Sequence, residues 1–312
     1  MLGLLLLTTL ATSGYFPVDE ETIARLIRRL DPEQKDEIRL EAIRELAGLG
    51  SEAKPALSAI VRALRKDKLP RVREYAAFTL KQLGSEAKPA LKALIEAVRD
   101  DTNNDVRCVA ANALGRLGAD AKEAVPVLVS VLRQREVGPH AAQALGAIGP
   151  EAKAAVDALG DALVDRELRS PAAVALGKIG EAALPAFAKA LKSNDEDIRI
   201  ECVLALSYVG KAAIPTLAEA LRDSNDEVRA NALAVLSRIN GNTQAMLPAV
   251  LAVLEKDKPA LRVAAARLLA QRGIEAKEAL PALKKASADK DEDVATAAKE
   301  AMTTIEKASK ER

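Results

Sequence analysis

The feature that most constrains this chain is a repeat. Residues 53–67 read AKPALSAIVRALRKD, residues 87–101 read AKPALKALIEAVRDD and residues 121–135 read AKEAVPVLVSVLRQR. The equivalent apolar residues are Leu57, Leu91, Val125, Val156, Leu184, Ile214, Leu247 and Leu280, at intervals of 34, 34, 31, 28, 30, 33 and 33 residues. A unit of this length is one supersecondary element that cannot bury its own apolar face, so neighbours must stack to close a continuous core.

Each unit holds two helical segments. The first carries apolar residues at helical spacing, as in Leu217, Ala218, Ala220 and Leu221, and ends in a polar turn. The second is small and apolar on one face, as in residues 106–118, 198–210 and 228–239. Gly50, Gly84, Gly118, Gly149, Gly180, Gly210 and Gly273 close it, which predicts a left-handed C′ residue. Asn240 takes that place in the seventh unit, as the next-best residue for it. Pro55, Pro89, Pro185, Pro215, Pro248 and Pro281 are predicted in the first turn of first helices, where a missing N–H has no partner. Counting second segments gives nine units, the first spanning 19–50 and the last running on from Ile274. Aromatics are only 2% of the 312 residues, with no Trp, so the layer between helices must be thin and aliphatic.

The second segment follows x-(Val/Ile)-Arg-x-x-Ala-x-x-Ala-Leu-Gly-x-(Ile/Leu)-Gly. It resembles HEAT repeats, especially the short form named after phycobilisome lyases, over nearly all of residues 19–305. The Trp and paired aromatic landmarks of tetratricopeptide repeats are missing, as is the T-P-L-H of ankyrin. The resemblance implies an all-α fold, a right-handed α-solenoid (superhelix) of about nine two-helix HEAT-like repeats, with residues 18–312 forming one solenoid. Residues 1–14, MLGLLLLTTLATSG, are too short for a membrane span of roughly 20 residues. They read either as a signal peptide, with small residues at Ala11 and Ser13 but no basic n-region, or as a hydrophobic N-terminal extension. Export and a cytoplasmic location both stay open.

Arg39, Arg73, Arg107, Arg169, Arg199, Arg229 and Arg262 open the second helix, with Gly138 and Ala295 in the fourth and ninth units. Acids lie six residues upstream in several units: Glu33, Asp67, Asp101, Asp223 and Asp289. In HEAT-like proteins two such rows form an Asp–Arg ladder along the stack. The resemblance therefore implies a structural role for these arginines, and the matching acids weigh against a phosphate-binding row. The fourth unit breaks the ladder. Cys202 falls on a core position and Cys108 nearer the surface, too far apart for a disulfide.

In HEAT-like folds the second helices line the concave surface. Positions two, five and nine after the Arg are then expected to face solvent. They include Tyr75, Phe78, Val109, His140, Val174, Leu204 and Tyr208, with Arg116, Lys178, Arg238 and Arg267 as a basic margin. An aromatic and aliphatic floor with charged edges suits an extended peptide or a partner helix. The expected function is a non-catalytic scaffold binding another protein or peptide there. The alternative, by family resemblance, is an accessory subunit of a bilin lyase-type enzyme. One His and two Cys leave no nucleophile–base set, and the His–Glu pairs of HEAT-like deoxyhypusine hydroxylases are missing, so no catalytic, metal or cofactor site is expected. Net charge is +1, which argues against a dedicated nucleic-acid binder, and no stable membrane span is expected.

Overall fold

The computed structural model describes residues 19–310. The segment 1–14, read above as a signal peptide or extension, lies outside them. The described chain is helical and contains no strand. Helices come in nine pairs. The first three are α1 (Glu20–Arg29) with α2 (Asp36–Gly48), α3 (Leu57–Lys66) with α4 (Pro70–Leu83), and α5 (Leu91–Asp100) with α6 (Asn104–Leu117). Next come α7 (Val125–Val131) with α8 (Gly138–Ile148), α9 (Val156–Ala162) with α10 (Arg169–Ile179), and α11 (Leu184–Ala190) with α12 (Glu196–Val209). The last three are α13 (Ile214–Ala220) with α14 (Asp226–Arg238), α15 (Thr243–Lys256) with α16 (Pro259–Arg272), and α17 (Leu280–Ala286) with α18 (Glu292–Lys310).

Seven of the eight repeat-marking residues are the first residue of an outer helix, and a short 3-10 segment such as Gly84–Ala90 precedes most of them. Leu247 is the exception. Asn242 caps α15 early, accepting from the Ala245 N–H at 3.3 Å, so the helix has already made a turn by that point. Pro248 is therefore inside α15 and not in its first turn, as the sequence had implied. Pro55 and Pro89 fall one step earlier than expected, in the 3-10 segments.

All seven repeat-closing glycines have positive φ, from 54° to 89°. At Gly118 φ is 57° and ψ is −135°, and Gly84, Gly149, Gly180, Gly210 and Gly273 are similar. This is the mirror image of extended backbone, not the left-handed helical well expected from the sequence. The difference decides the fate of Asn240. Asn enters the left-handed helical well with little strain but not this region, which is nearly exclusive to Gly. No described non-Gly residue has positive φ, and the seventh unit leaves α14 extended through Ile239 (φ −96°, ψ 113°). The end of α14 is satisfied from the next unit instead. Buried Arg272 donates to the carbonyls of Leu236 and Ile239, the latter at 2.7 Å.

The Asp–Arg ladder runs between units. Arg39 binds Asp67 through Nε at 2.7 Å and a second nitrogen at 2.9 Å; Arg73 binds Asp101 at 2.7 and 2.8 Å. Arg199 holds Asp223 and Arg229 holds Asp257 in the same two-pronged way, while Arg262 meets Asp289 and Arg169 meets Asp195 at 2.6 Å. Each acid thus receives the Arg of the unit before it. Asp67, Asp101, Asp223 and Asp289 also accept an N–H two residues on, which fixes their own inter-helix turn. Three expectations change. Glu33 precedes the first Arg, and among the described residues no arginine bonds it. Asp195 and Asp257, one or two residues off the expected spacing, complete rungs the sequence rule missed. Arg107 is not a rung: among the described residues no acid meets it, and its Nε donates to Val98 O at 2.9 Å. The fourth unit offers it no acid and has Gly138 where an Arg would continue the row. Gly138 itself is dictated by a tight connection, since its N–H bonds Gln134 O at 2.6 Å and a Cβ would sit 2.1 Å from Leu132 O.

Through most of the stack second helices pack on one another more extensively than first helices do, which puts α2, α4 and their successors on the inside of the arc; only α13–α15 and α14–α16 pack alike. Small residues allow this approach. Gly115, Gly146 and Gly177 recur eight residues after the Arg position in three consecutive units. A Cβ on them would meet Ala144 Cα at 3.0 Å, Ala175 Cα at 2.9 Å and Ala205 O at 2.4 Å. The core between the layers is Ala, Leu, Val and Ile, with Phe187 its largest fully buried side chain among the described residues. By length and mean hydropathy, residues 196–220 are long and apolar enough to cross a membrane. The chain turns at Gly210 within this stretch, making it two helices, α12 and α13, of one repeat.

Candidate interaction surface

Along the inner helices α4 to α16, the residues three, four, six and seven after the Arg position are buried in the core, as are Ala110, Ala111, Ala113 and Leu114 on α6, whereas in α2 and α18 Glu45 and Lys299 break the pattern. What remains forms a continuous inner wall. Tyr75 and Val109 are half-buried and pack against the core. Val174 is half-buried, and Arg116, Lys178 and Arg238 are exposed. Phe78 keeps 38% of its surface exposed, Leu204 42% and Tyr208 55%. Only one other large apolar side chain among the described residues is exposed to this degree, Val164 at 72% on the outer side, after α9. Three of the four such residues therefore share the inner wall.

Cations cover the aromatics. Arg44 lies 5.1 Å from the Tyr75 ring centre, Lys81 5.9 Å from that of Phe78, and Lys178 5.8 Å from that of Tyr208. The first and third of these pairs join adjacent units, so each ring is held by its neighbour in the stack. Tyr208 also lies against Gly177, where a Cβ would come within 3.1 Å of the Tyr208 Cβ. His140 is half-buried and its Nδ1 donates to Asn112 Oδ1 at 3.3 Å. Burial, and then the charge of Lys81, push its pKa below the ordinary value, so the ring is neutral at pH 7. Between α8 and α10 lies a cleft of about 220 Å³, lined by Gln143, Gly146, Ser170, Pro171, Val174 and Lys178.

Sequence reasoning located the wall's aromatic and basic residues but passed over Lys81 and the Gly115–Gly146–Gly177 row. The signal for that row was available: the same residue type at the same repeat position in three successive units. The outer side also has clefts, about 1010 Å³ between α9 and α11 and about 510 Å³ between α11 and α13. They arise where the outer helices are shortest. Neither thiol is poised for chemistry. Burial raises the Cys202 pKa to about 12, while burial followed by the charges of Asp105 and Glu136 raises that of Cys108.

Comparisons with known proteins agree with this architecture. No curated protein shows significant sequence similarity to the chain. Among solved structures, yeast importin-β (Kap95p) superposes with a TM-score of 0.58 at 13% identity, over 93% of this chain and 46% of the importin. A Kap121p mutant gives 0.59 at 15% identity, over 95% of this chain and 38% of that one. The chain thus spans less than half the length of these neighbours, and at such identities the likeness is one of fold. The family model for HEAT repeats matches four times, over residues 23–97, 91–169, 156–237 and 214–303. Those matches cover almost every helix pair described above, and the chain belongs to the HEAT-repeat family.

Proposed function

We propose that the protein is an interaction scaffold whose inner wall binds a partner protein or a peptide segment of one. The observation that carries this reading is the placement of Phe78, Leu204 and Tyr208, three of the four strongly exposed large apolar side chains among the described residues, on one wall. Leaving these side chains about half exposed forgoes roughly half of the 1.5–3 kcal/mol that full burial of each would contribute. A stacked array also adds one row of side chains per unit to a single surface, so a long partner can be read without any deep pocket. Tyr75, Phe78, Val109, Val174, Leu204 and Tyr208 supply apolar contact. His140 adds a neutral polar edge, and Arg116, Lys178 and Arg238 guide charge.

The test is a variant with Tyr75, Phe78 and Tyr208 replaced by Ser, compared with the parent for partners captured from native extract and for melting temperature. Loss of partners at an unchanged melting temperature supports the reading. A lowered melting temperature with partners retained means that these rings only fill gaps between helices. The bilin-lyase alternative would be recognised by a spectral change when bilin is added.

A further inference from the structure

Resting on the interaction reading above, we propose that the segment recognised by the inner wall is an extended acidic peptide, with carboxylates spaced to match every second repeat. The positions five, eight and nine after the Arg, in the first eight units, hold Arg44, Lys81, Arg116, Lys178, Arg238 and Arg267 and not one carboxylate. Among the described residues, none of these six forms a salt bridge. On the outer and edge faces several cations are paired with acids of the neighbouring unit: Lys54 meets Glu86 at 2.6 Å, Arg65 meets Glu96 at 2.8 Å, Lys88 meets Asp120 at 2.7 Å and Arg135 meets Glu167 at 3.0 Å. Wall acids sit nearer the helix N-termini, at Glu41, Glu74 and Glu201, and Glu41 is already taken by Arg29. These wall rows therefore present cations along one edge with no carboxylate among them. Such an edge attracts a partner of opposite charge and fixes its register.

Spacing identifies the partner further. Arg116, Lys178 and Arg238 occupy the same position in alternate units. Adjacent packed helices lie about 8–10 Å apart, so these cations recur at about 16–20 Å. An extended peptide advances about 3.3 Å per residue and would meet them with acids five or six residues apart. Between Arg116 and Lys178 it crosses the cleft beside Val174 and Pro171, which accepts one apolar side chain. A carboxylate reaching Lys178 also lies beside the exposed Tyr208 ring, joining charge to apolar contact in one place. A nucleic-acid strand fits less well. It brings a charge with every nucleotide, and the acidic starts of the inner helices, at Asp105, Asp197 and Glu227, border the wall.

The experiment is selection of a displayed random library of about 16-residue peptides on the full chain. Affinities of the enriched peptides, and of a thymine single-stranded oligonucleotide, are then measured by fluorescence anisotropy. We expect enriched peptides to be acidic with an apolar residue between acids. Replacing their acids by Gln, or reversing the wall with Arg116→Glu, Lys178→Glu and Arg238→Glu together, should weaken binding by more than about tenfold. The neutral triple variant (all three to Gln) should fall between, with the parent melting temperature. Three results would overturn the proposal: enrichment of neutral or basic peptides or of none, binding indifferent to the wall reversal, or tighter binding of the oligonucleotide. If partners are still captured through Tyr208 and Phe78 while charge reversal changes nothing, only the acidic chemistry fails and the scaffold reading stands.

Discussion

Replacing Gly by Ala along the inner helices separates two effects that act in opposite directions. In a helix interior, Ala is favoured over Gly by roughly 1 kcal/mol, because the chain loses less entropy on folding. Against this stands the room available. A Cβ at Gly48 meets nothing within 4 Å, so Gly48→Ala should stabilise by up to about 1 kcal/mol. At Gly115 and Gly146 the new carbon would lie 3.0 and 2.9 Å from the Cα of the next inner helix. Overpacking of this kind costs about 1–3 kcal/mol; at its lower end it nearly cancels the propensity gain. At Gly177 the nearest atom is the Ala205 carbonyl oxygen at 2.4 Å, a backbone group that can move only with its helix. There the upper end applies, and Gly177→Ala should destabilise by about 2 kcal/mol net. Urea unfolding midpoints should therefore rank Gly48→Ala above the parent, the parent at or slightly above Gly115→Ala and Gly146→Ala, and Gly177→Ala lowest. If Gly177→Ala proved as stable as Gly48→Ala, the inner helices would not be in the close contact that the curved stack requires.

Other expectations follow from the same geometry. Asp257→Asn breaks a rung in which both partners are largely buried and should cost about 2–3 kcal/mol at neutral pH. Burial opposes ionisation of Asp257, but the bonds from Arg229 and the Lys258 N–H outweigh it and its pKa lies below the ordinary value. The stabilisation is therefore present above the unfolded-state pKa of about 3.9 and lost as pH falls through the lower folded value, so parent and variant unfolding curves should converge in acid. Gly118→Ala should cost about 1–3 kcal/mol in a thermal melt because its φ and ψ exclude a Cβ, whereas Asn240→Gly should bring no comparable gain, the seventh turn being built differently. Under native conditions a thiol reagent should modify Cys108 before Cys202, which mass spectrometry of the labelled chain would resolve.

Repetition is what made so much of the fold legible. A period near 33 residues, recurring Gly and recurring Arg fix helix pairing, order and facing, because every unit must present the same surfaces to its neighbours. The misreadings fall where the repeat is imperfect. Asn240 reads as a weaker Gly, but the Gly turns use a mirror-extended backbone closed to Asn, and only the structure shows the seventh turn built differently, with Arg272 reaching back to finish α14. Arg107 obeys the motif and still lacks an acid, because the partner belongs to the next unit and that unit is shortened. The wall's residue rows were readable from helical phase once the HEAT resemblance had put the second helices on the concave side. Its tightness was not: how near two helices come depends on facing pairs such as Gly177 and Ala205, about thirty residues apart in sequence, which a single chain does not reveal.

Position-resolved photocrosslinking addresses the functional claim most directly. A photoreactive residue is placed singly at Phe78, Leu204 or Tyr208 on the inner wall, or at Val164 on the outer side, and each protein is irradiated in native extract. The same partner should be captured from the three inner positions and not from Val164, and its capture should be lost when Arg116, Lys178 and Arg238 are all Glu. Capture from Val164 with silence at the inner positions would place the binding surface on the opposite side of the arc.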